Sequence, residues 1–240
     1  MKYRCVECGH GMNTLFVQYS PGNIRLMKCE NCKAVADKYI ECEIMIIVID
    51  LILHKPKAYR HLLYNVLDSE SLNFQNLLWK FSFGFLLLDA YMCLNINNVK
   101  DRSLFICRSK EEWGLSTSIA SFIWTCQKVL MDVVLGNFVF LATFLLAMRI
   151  LLKTSIGSLR YKDILLAILI SSYFKMCLVA MMVWQFPSSV VFIIDLYVLS
   201  SNIVALKVIT ESALSRCVLT CFSAHLMKFL VTQALELRTL

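Results

Sequence analysis

Cys5-Val6-Glu7-Cys8 and Cys29-Glu30-Asn31-Cys32, two C-x-x-C pairs with twenty residues between them, decide how the amino-terminal end of this chain folds. Each pair sets two sulfurs on one tight turn, and two such turns complete a tetrahedral shell. Gly9, directly after Cys8, suits a knuckle turn that needs positive φ just past its second cysteine. Between the pairs, Leu15 to Tyr19 and Ile24 to Lys28 read as short strands. Ser20-Pro21-Gly22-Asn23 joins them, with proline and glycine at the central positions of a type II turn. A hairpin carrying a knuckle near each end is a zinc ribbon, with Cys5, Cys8, Cys29 and Cys32 as the expected ligands of one structural zinc. Four thiolates leave no open position for water, so a catalytic zinc is not expected.

Two other chemistries use the same sulfurs. Paired disulfides require an oxidising compartment, whereas Met1 to Cys8 is polar and no apolar signal region follows it. A redox C-x-x-C sits at a helix start beside a βαβ pattern, which is missing here. His10 is near enough to compete for the metal, and Cys42, ten residues past the second knuckle, reads as a packing residue.

Beyond this module the composition changes. The chain has 240 residues, 58% hydrophobic and only 17% charged, against roughly a quarter charged in a soluble domain. A soluble protein of this size has no interior large enough for that apolar surface, and a bilayer supplies one. The sequence divides into a zinc-ribbon module at 1–43, a connecting segment at 44–76 and an all-α polytopic domain at 77–240. The formal charge of +7 fits anionic lipid or nucleic acid. Lys2, Arg4, Arg25, Lys28, Lys33 and Lys38 are interleaved with Glu7, Glu30, Asp37, Glu41 and Glu43, which dilutes a phosphate-binding stripe. Membrane lipid is therefore the expected partner rather than nucleic acid.

The connecting segment opens with Ile44 to Leu53, whose one polar member is Asp50 and which is too short to span a bilayer. The basic and aromatic run His54 to Tyr64 follows, with Lys55, Lys57 and Arg60 as candidate headgroup contacts. Two readings stand side by side: an interfacial stretch, or a small core element under the ribbon followed by a solvated helix. His54 and His61 read as satisfied surface histidines.

These residues carry a resemblance. Cys5 to Cys32, Gln18 to Leu26, Ala36-Asp37-Lys38-Tyr39-Ile40-Glu41, Ile49 to Leu53 and Lys57 to Asn65 resemble the homology domain of the ARV family ("ACAT-related enzyme required for viability"). Ala205 to Ser212 resembles a plant member. The resemblance implies a multi-pass protein of the endoplasmic reticulum acting in sterol trafficking and sphingolipid balance, and in some members in glycosylphosphatidylinositol assembly.

In the membrane half, four segments have spanning length and polarity: 77–96, 129–152, 164–184 and 190–207. Ser118 to Gln127 and Cys217 to Leu235 are weaker, and the second, with His225 and Lys228, reads as a stretch along the interface. Lys153, Arg160 and Lys162 crowd one short loop while Gln185 to Ser189 has no charge, which sends both termini to the cytosol. Lys100, Arg102, Arg108 and Lys110 run against that arrangement. Asp89, Asp132, Lys175 and Asp195 are ionisable residues inside spans. Lys175 and Asp195 differ in depth by roughly 6 Å on antiparallel helices, so an ion pair between them is expected. Asn202 shares the face of Asp195 and Ser171 that of Lys175; such faces line a headgroup cavity or simply glue helices.

Three function classes follow. The first is a non-enzymatic membrane factor for lipid, with sterol the class the resemblance implies. The second is a membrane-embedded lipid-modifying enzyme, although His225 has no matched acid nearby in sequence. The third is an adaptor whose ribbon docks other reticulum proteins, including sterol or glycosylphosphatidylinositol enzymes.

Overall fold

The computed structural model describes residues 3–67, 79–80, 82–84, 86–87, 89–90, 115–151, 158–172, 175 and 189–237. The chain forms two compact units: Met1–Trp79 with Ile156–Phe174 and Ser200–Ala213, and Lys80–Ser155 with Lys175–Leu199 and Leu214–Leu240.

The first unit starts with two short antiparallel pairs. Strands β1 (Tyr3–Arg4) and β2 (Gly11–Met12) flank the first C-x-x-C, and β3 (Phe16–Ser20) pairs with β4 (Asn23–Leu26). The turn between β3 and β4 carries Gly22 at φ 82°, which a type II turn requires there. The second C-x-x-C lies inside a further bridge, Lys28 with Val35. A 3₁₀ turn, Lys38–Glu41, is capped by Asp37, whose carboxylate accepts from the Tyr39 backbone N–H.

Helix α1 (Ile44–Ile52) follows from the apolar run, and its end has a definite cause. His54 takes φ 54°, its N–H reaches the Leu51 carbonyl at 3.0 Å, and the Lys55 N–H reaches the Asp50 carbonyl at 3.0 Å. This is a Schellman closure, which satisfies the last carbonyls of the helix. Pro56 then opens α2 (Pro56–Arg60), where its fixed φ is pre-set and its missing N–H is not needed. One π-helical turn, His61–Val66, continues it. Val6, Tyr39, Leu51, Ala58 and Tyr59 pack with Ala167, Ala205 and Val208 into the core of this unit. Burying each of the larger side chains stabilises it by roughly 1.5–3 kcal/mol.

The described residues between 79 and 90 are helical, and three long helices and one shorter one follow: α3 (Leu115–Leu151), α4 (Ser158–Ser172), α5 (Ser189–Thr210) and α6 (Leu214–Leu237). In the second unit α3 packs on α6, with Gly136 facing Thr232 and Lys228 and with Phe144 and Met148 fully buried.

Among the described residues three helices are long and apolar enough to cross a membrane: Cys126–Leu151, Phe192–Thr210 and Leu214–Leu235. The first two coincide with expected spans. Expectation and structure differ over Ser118 to Gln127, which is the beginning of the continuous 37-residue α3. They differ again at the carboxyl end, where the weaker stretch is a helix of spanning length. Lys228 lowers its hydropathy, yet that cation is taken up by acceptors inside the second unit, so it does not hold the helix at a surface. Most of the expected span at 77–96, the loop at 97–114 and the later part of 164–184 lie outside the described residues; α4 covers the start of the last.

Candidate metal centre and its supports

The two C-x-x-C turns have the same construction. The Cys5 N–H donates to the His10 carbonyl at 2.9 Å and the Gly9 N–H to the Cys5 carbonyl at 2.9 Å. In the second turn the Cys29 N–H donates to Ala34 at 2.8 Å and the Lys33 N–H to Cys29 at 2.9 Å. The residue after each second cysteine is left-handed, Gly9 at φ 79° and Lys33 at φ 63°. The Val6 N–H donates to the Ala36 carbonyl at 2.9 Å and ties one turn to the other.

Each turn places its pair of sulfurs against the other pair. Cys5 Sγ lies 3.8 Å from Cys32 Sγ, Cys8 Sγ lies 3.6 Å from Cys29 Sγ, and all four sulfurs fall within 4.8 Å of one another. A disulfide needs about 2.05 Å, so these are four separate thiols. A tetrahedral ion with metal–sulfur bonds of about 2.3 Å sets its sulfurs about 3.8 Å apart. The four cysteines therefore fit a metal ion. Cys5 and Cys29 are buried and Cys8 and Cys32 exposed, so the cluster has an inner and an outer side. Burial pushes the Cys5 thiol up to about 12. Burial also acts on Cys8, but the His10 backbone N–H and the contacts of Cys29, Cys32 and Asn31 outweigh it and bring that thiol down to about 6. A dication would remove this inequality by holding all four as thiolates.

Lys33 carries a side chain in a conformation that favours glycine. Lys33→Gly should stabilise the module by about 0.5–1 kcal/mol, whereas Gly9→Ala should destabilise it by at least as much. At Gly9 the strain adds to a contact, since a Cβ would meet Glu211 Oε1 at 3.4 Å. Limited proteolysis of the module in the intact chain reads both changes.

The three candidate headgroup cations are directed onto the protein. Arg60 donates through one guanidinium nitrogen to the carbonyls of Val6, 3.0 Å, and Glu7, 2.6 Å, inside the first knuckle. Lys57 pairs with Glu7 at 2.6 Å and Lys55 with Asp50 at 2.6 Å. Asp50 also accepts from the Tyr39 hydroxyl at 2.8 Å.

A second support was not legible in the sequence. Asp37 is fully buried; its Oδ2 lies 2.6 Å from His61 Nδ1 and accepts from Asn65 Nδ2 at 2.6 Å. Asn65 also exchanges two hydrogen bonds with the backbone of Arg4, at 2.9 and 3.0 Å, which fixes β1 to the π turn. His61, expected at the surface, is thus a buried partner of Asp37. Both residues lie in the stretches that carry the family resemblance, the one signal that marked them. Asp37→Ala removes the acceptor of His61, Asn65 and the Tyr39 N–H together, and should destabilise the first unit by about 3 kcal/mol. The detergent-solubilised chain should unfold at a lower temperature, and an unchanged midpoint would contradict this role.

In the first unit Ser171 and Ser201 share a hydrogen bond at 2.6 Å and Ser172 donates to Asn202 at 3.3 Å, so these polar side chains join α4 to α5. In the second unit Lys175 Nζ lies 3.5 Å from Asp195 and 3.1 Å from Asp89. Asp89 also receives Lys228 at 2.6 Å and Asn137 at 3.1 Å, and Lys228 donates to Asn137 at 2.9 Å. Asp89 and Lys228 were each visible in the sequence; their meeting was not. His225 sits edge-on to Phe140 with ring centroids 4.9 Å apart.

Comparison with known proteins places this geometry in a family. The profile of the Arv1-like family matches residues 4–206. The chain is 54% identical to "Protein ARV 2" of Arabidopsis thaliana over 232 residues, covering 97% of this chain and 94% of that protein. It is 51% identical to "Protein ARV 1" of the same plant, covering 98% and 89%, and 30% identical to "Protein ARV1" of Homo sapiens, covering 86% and 72%. No solved structure matches. With the cysteine pairs, the Tyr-Arg-His run and most of α5 inside the matched region, the chain belongs to the Arv1-like family.

Proposed function

We propose that this protein is a non-enzymatic, multi-pass membrane protein of the endoplasmic reticulum that maintains sterol homeostasis and intracellular lipid transport, with effects on sphingolipid metabolism. Its amino-terminal module is a zinc ribbon on the cytosolic side, and the zinc is structural. Cys5, Cys8, Cys29 and Cys32 would hold the ion, and its chemistry there is to fix two turns rather than to activate water. The observation that carries the reading is the joining of the cysteine module to the second half of α5, a helix of spanning length, within one compact unit of an Arv1-like protein. Such a module is built to be read or held at a membrane surface, and its partners are membrane lipids, sterols first. Lys57 and Arg60 reach anionic headgroups only by leaving the acceptors described above, so they are secondary contacts at most, and Lys55 stays with Asp50 at the turn after α1. Lys175 and Asp195 act as an intramembrane ion pair within the cluster around Asp89.

A second reading is favoured by one feature. Phe16, Val17 and Tyr19 are exposed along β3, which suits an adaptor that docks sterol or glycosylphosphatidylinositol enzymes. Purified protein in liposomes separates the classes. Extraction or exchange of sterol without chemical change supports the first reading, a new lipid product supports an enzyme, and neither supports the adaptor. In cells, a lipid census of a strain lacking the protein, repeated with Cys29→Ser restored at equal protein level, tests whether the metal site serves that function.

A further inference from the structure

Helix α1 has its polarity inverted. Its one ionisable side chain, Asp50, is buried against Tyr39 and Lys55, while Ile44, Met45 and Leu53 at its end are 77%, 65% and 60% exposed, and Ile46, Ile49 and Ile52 are exposed beside them. In water this face would be a contiguous apolar patch on a nine-residue helix. Where the helix lies along α5 says what covers it. The turn after α1 is fixed to α5 by a hydrogen bond between His54 Nε2 and Ser200 Oγ at 3.0 Å. Five residues further on, Tyr59 Oη and Ser201 Oγ share one at 2.7 Å. Ser200 and Ser201 stand in the middle of the span Phe192–Thr210. Towards its end, Tyr64 meets the carbonyls of Val208 and Ile209, and Arg4 pairs with Glu211.

The geometry points to α1 as a half-helix buried in membrane hydrocarbon, entering from the side of the cysteine module and turning back at His54. Its occupant is the acyl-chain layer of the bilayer. Two lengths agree. Nine residues of helix rise about 13 Å, and the eleven residues from Ser200 to Thr210 about 16 Å, each close to half of a hydrocarbon core of about 30 Å. Irregular backbone at that depth must be satisfied within the protein. The turn meets this condition: the carbonyls of Ile49, Asp50 and Leu51 accept from the N–H groups of Leu53, Lys55 and His54 respectively, at 2.9–3.0 Å. The Lys55 ammonium enters paired with Asp50, so the turn brings no net charge.

The inference rests on α5 crossing the membrane, and the test separates the two. A photoreactive benzoylphenylalanine replaces Ile49 or Leu53 in the full chain, with Leu196 of α5 and Glu30 of the second knuckle as comparison positions. The protein is placed in vesicles of one unsaturated phosphatidylcholine, irradiated and mapped by mass spectrometry. Acyl-chain adducts are expected at 49 and 53 in the yield seen at 196, with their loss at 30. Adducts at 196 but none at 49 or 53, or adducts there to headgroup alone, overturn the half-helix. Cross-links from 49 or 53 to a second protein chain also overturn it. No adduct at 196 overturns the span and the half-helix together. Two outward-facing positions guard against a single variant that fails to fold.

Discussion

Replacing Asp89 by alanine should strip most of the protein from the membrane fraction. The Asp89 carboxylate accepts from Lys175 at 3.1 Å, Lys228 at 2.6 Å and Asn137 at 3.1 Å, all within the second unit. Removing it leaves two ammonium groups buried beside each other. Breaking a buried pair by deleting one partner costs about 3–5 kcal/mol, a large share of the roughly 5–15 kcal/mol by which a domain is folded. Asp195 offsets part of that for Lys175, from 3.5 Å, but its side chain is more than half exposed. A second change, Lys228→Met, on the Asp89→Ala background should therefore restore part of the protein level, because the remaining lysine keeps one carboxylate. Quantitative immunoblotting of membranes, with thermal unfolding in detergent, measures both. An Asp89→Ala protein present at the normal level and melting at the normal temperature would show that the cluster contributes nothing.

The second large effect belongs to the sulfurs. Cys29→Ser should take bound zinc from one equivalent per chain to none and leave the amino-terminal module sensitive to protease. The binding free energy of a structural thiolate site, about 10–16 kcal/mol, is folding free energy, so a strand pair this small has little to fall back on. Chelation of the native protein should reproduce the change. Cys42→Ser provides the contrast. Its thiol donates to the Lys38 carbonyl at 3.3 Å and stands outside the four-sulfur group, so zinc content should not move. Loss of zinc in both variants, or in neither, would contradict the assignment of ligands. Because Arg60 grips the carbonyls of Val6 and Glu7, metal loss should also loosen α2, a change visible as faster amide exchange over residues 56–66.

What the sequence alone determined was everything governed by local spacing. C-x-x-C sets two sulfurs on one turn whatever surrounds it, Pro21-Gly22 closes the β3–β4 hairpin, and runs of some twenty apolar residues select helices of membrane length. Polarity misled where charge is neutralised by residues far along the chain. Lys228 made α6 look like a surface helix, and its acceptor Asp89 is 139 residues away. Lys57 and Arg60 looked free to reach headgroups, yet their acceptors lie 50 or more residues earlier, in the first knuckle. His61 and Asp37 are ordinary residues until a π turn brings them to 2.6 Å. Tertiary structure alone decided these, because a buried charge or hydrogen-bonding group is tolerated only beside its partner, and no local pattern records which partner the fold will deliver.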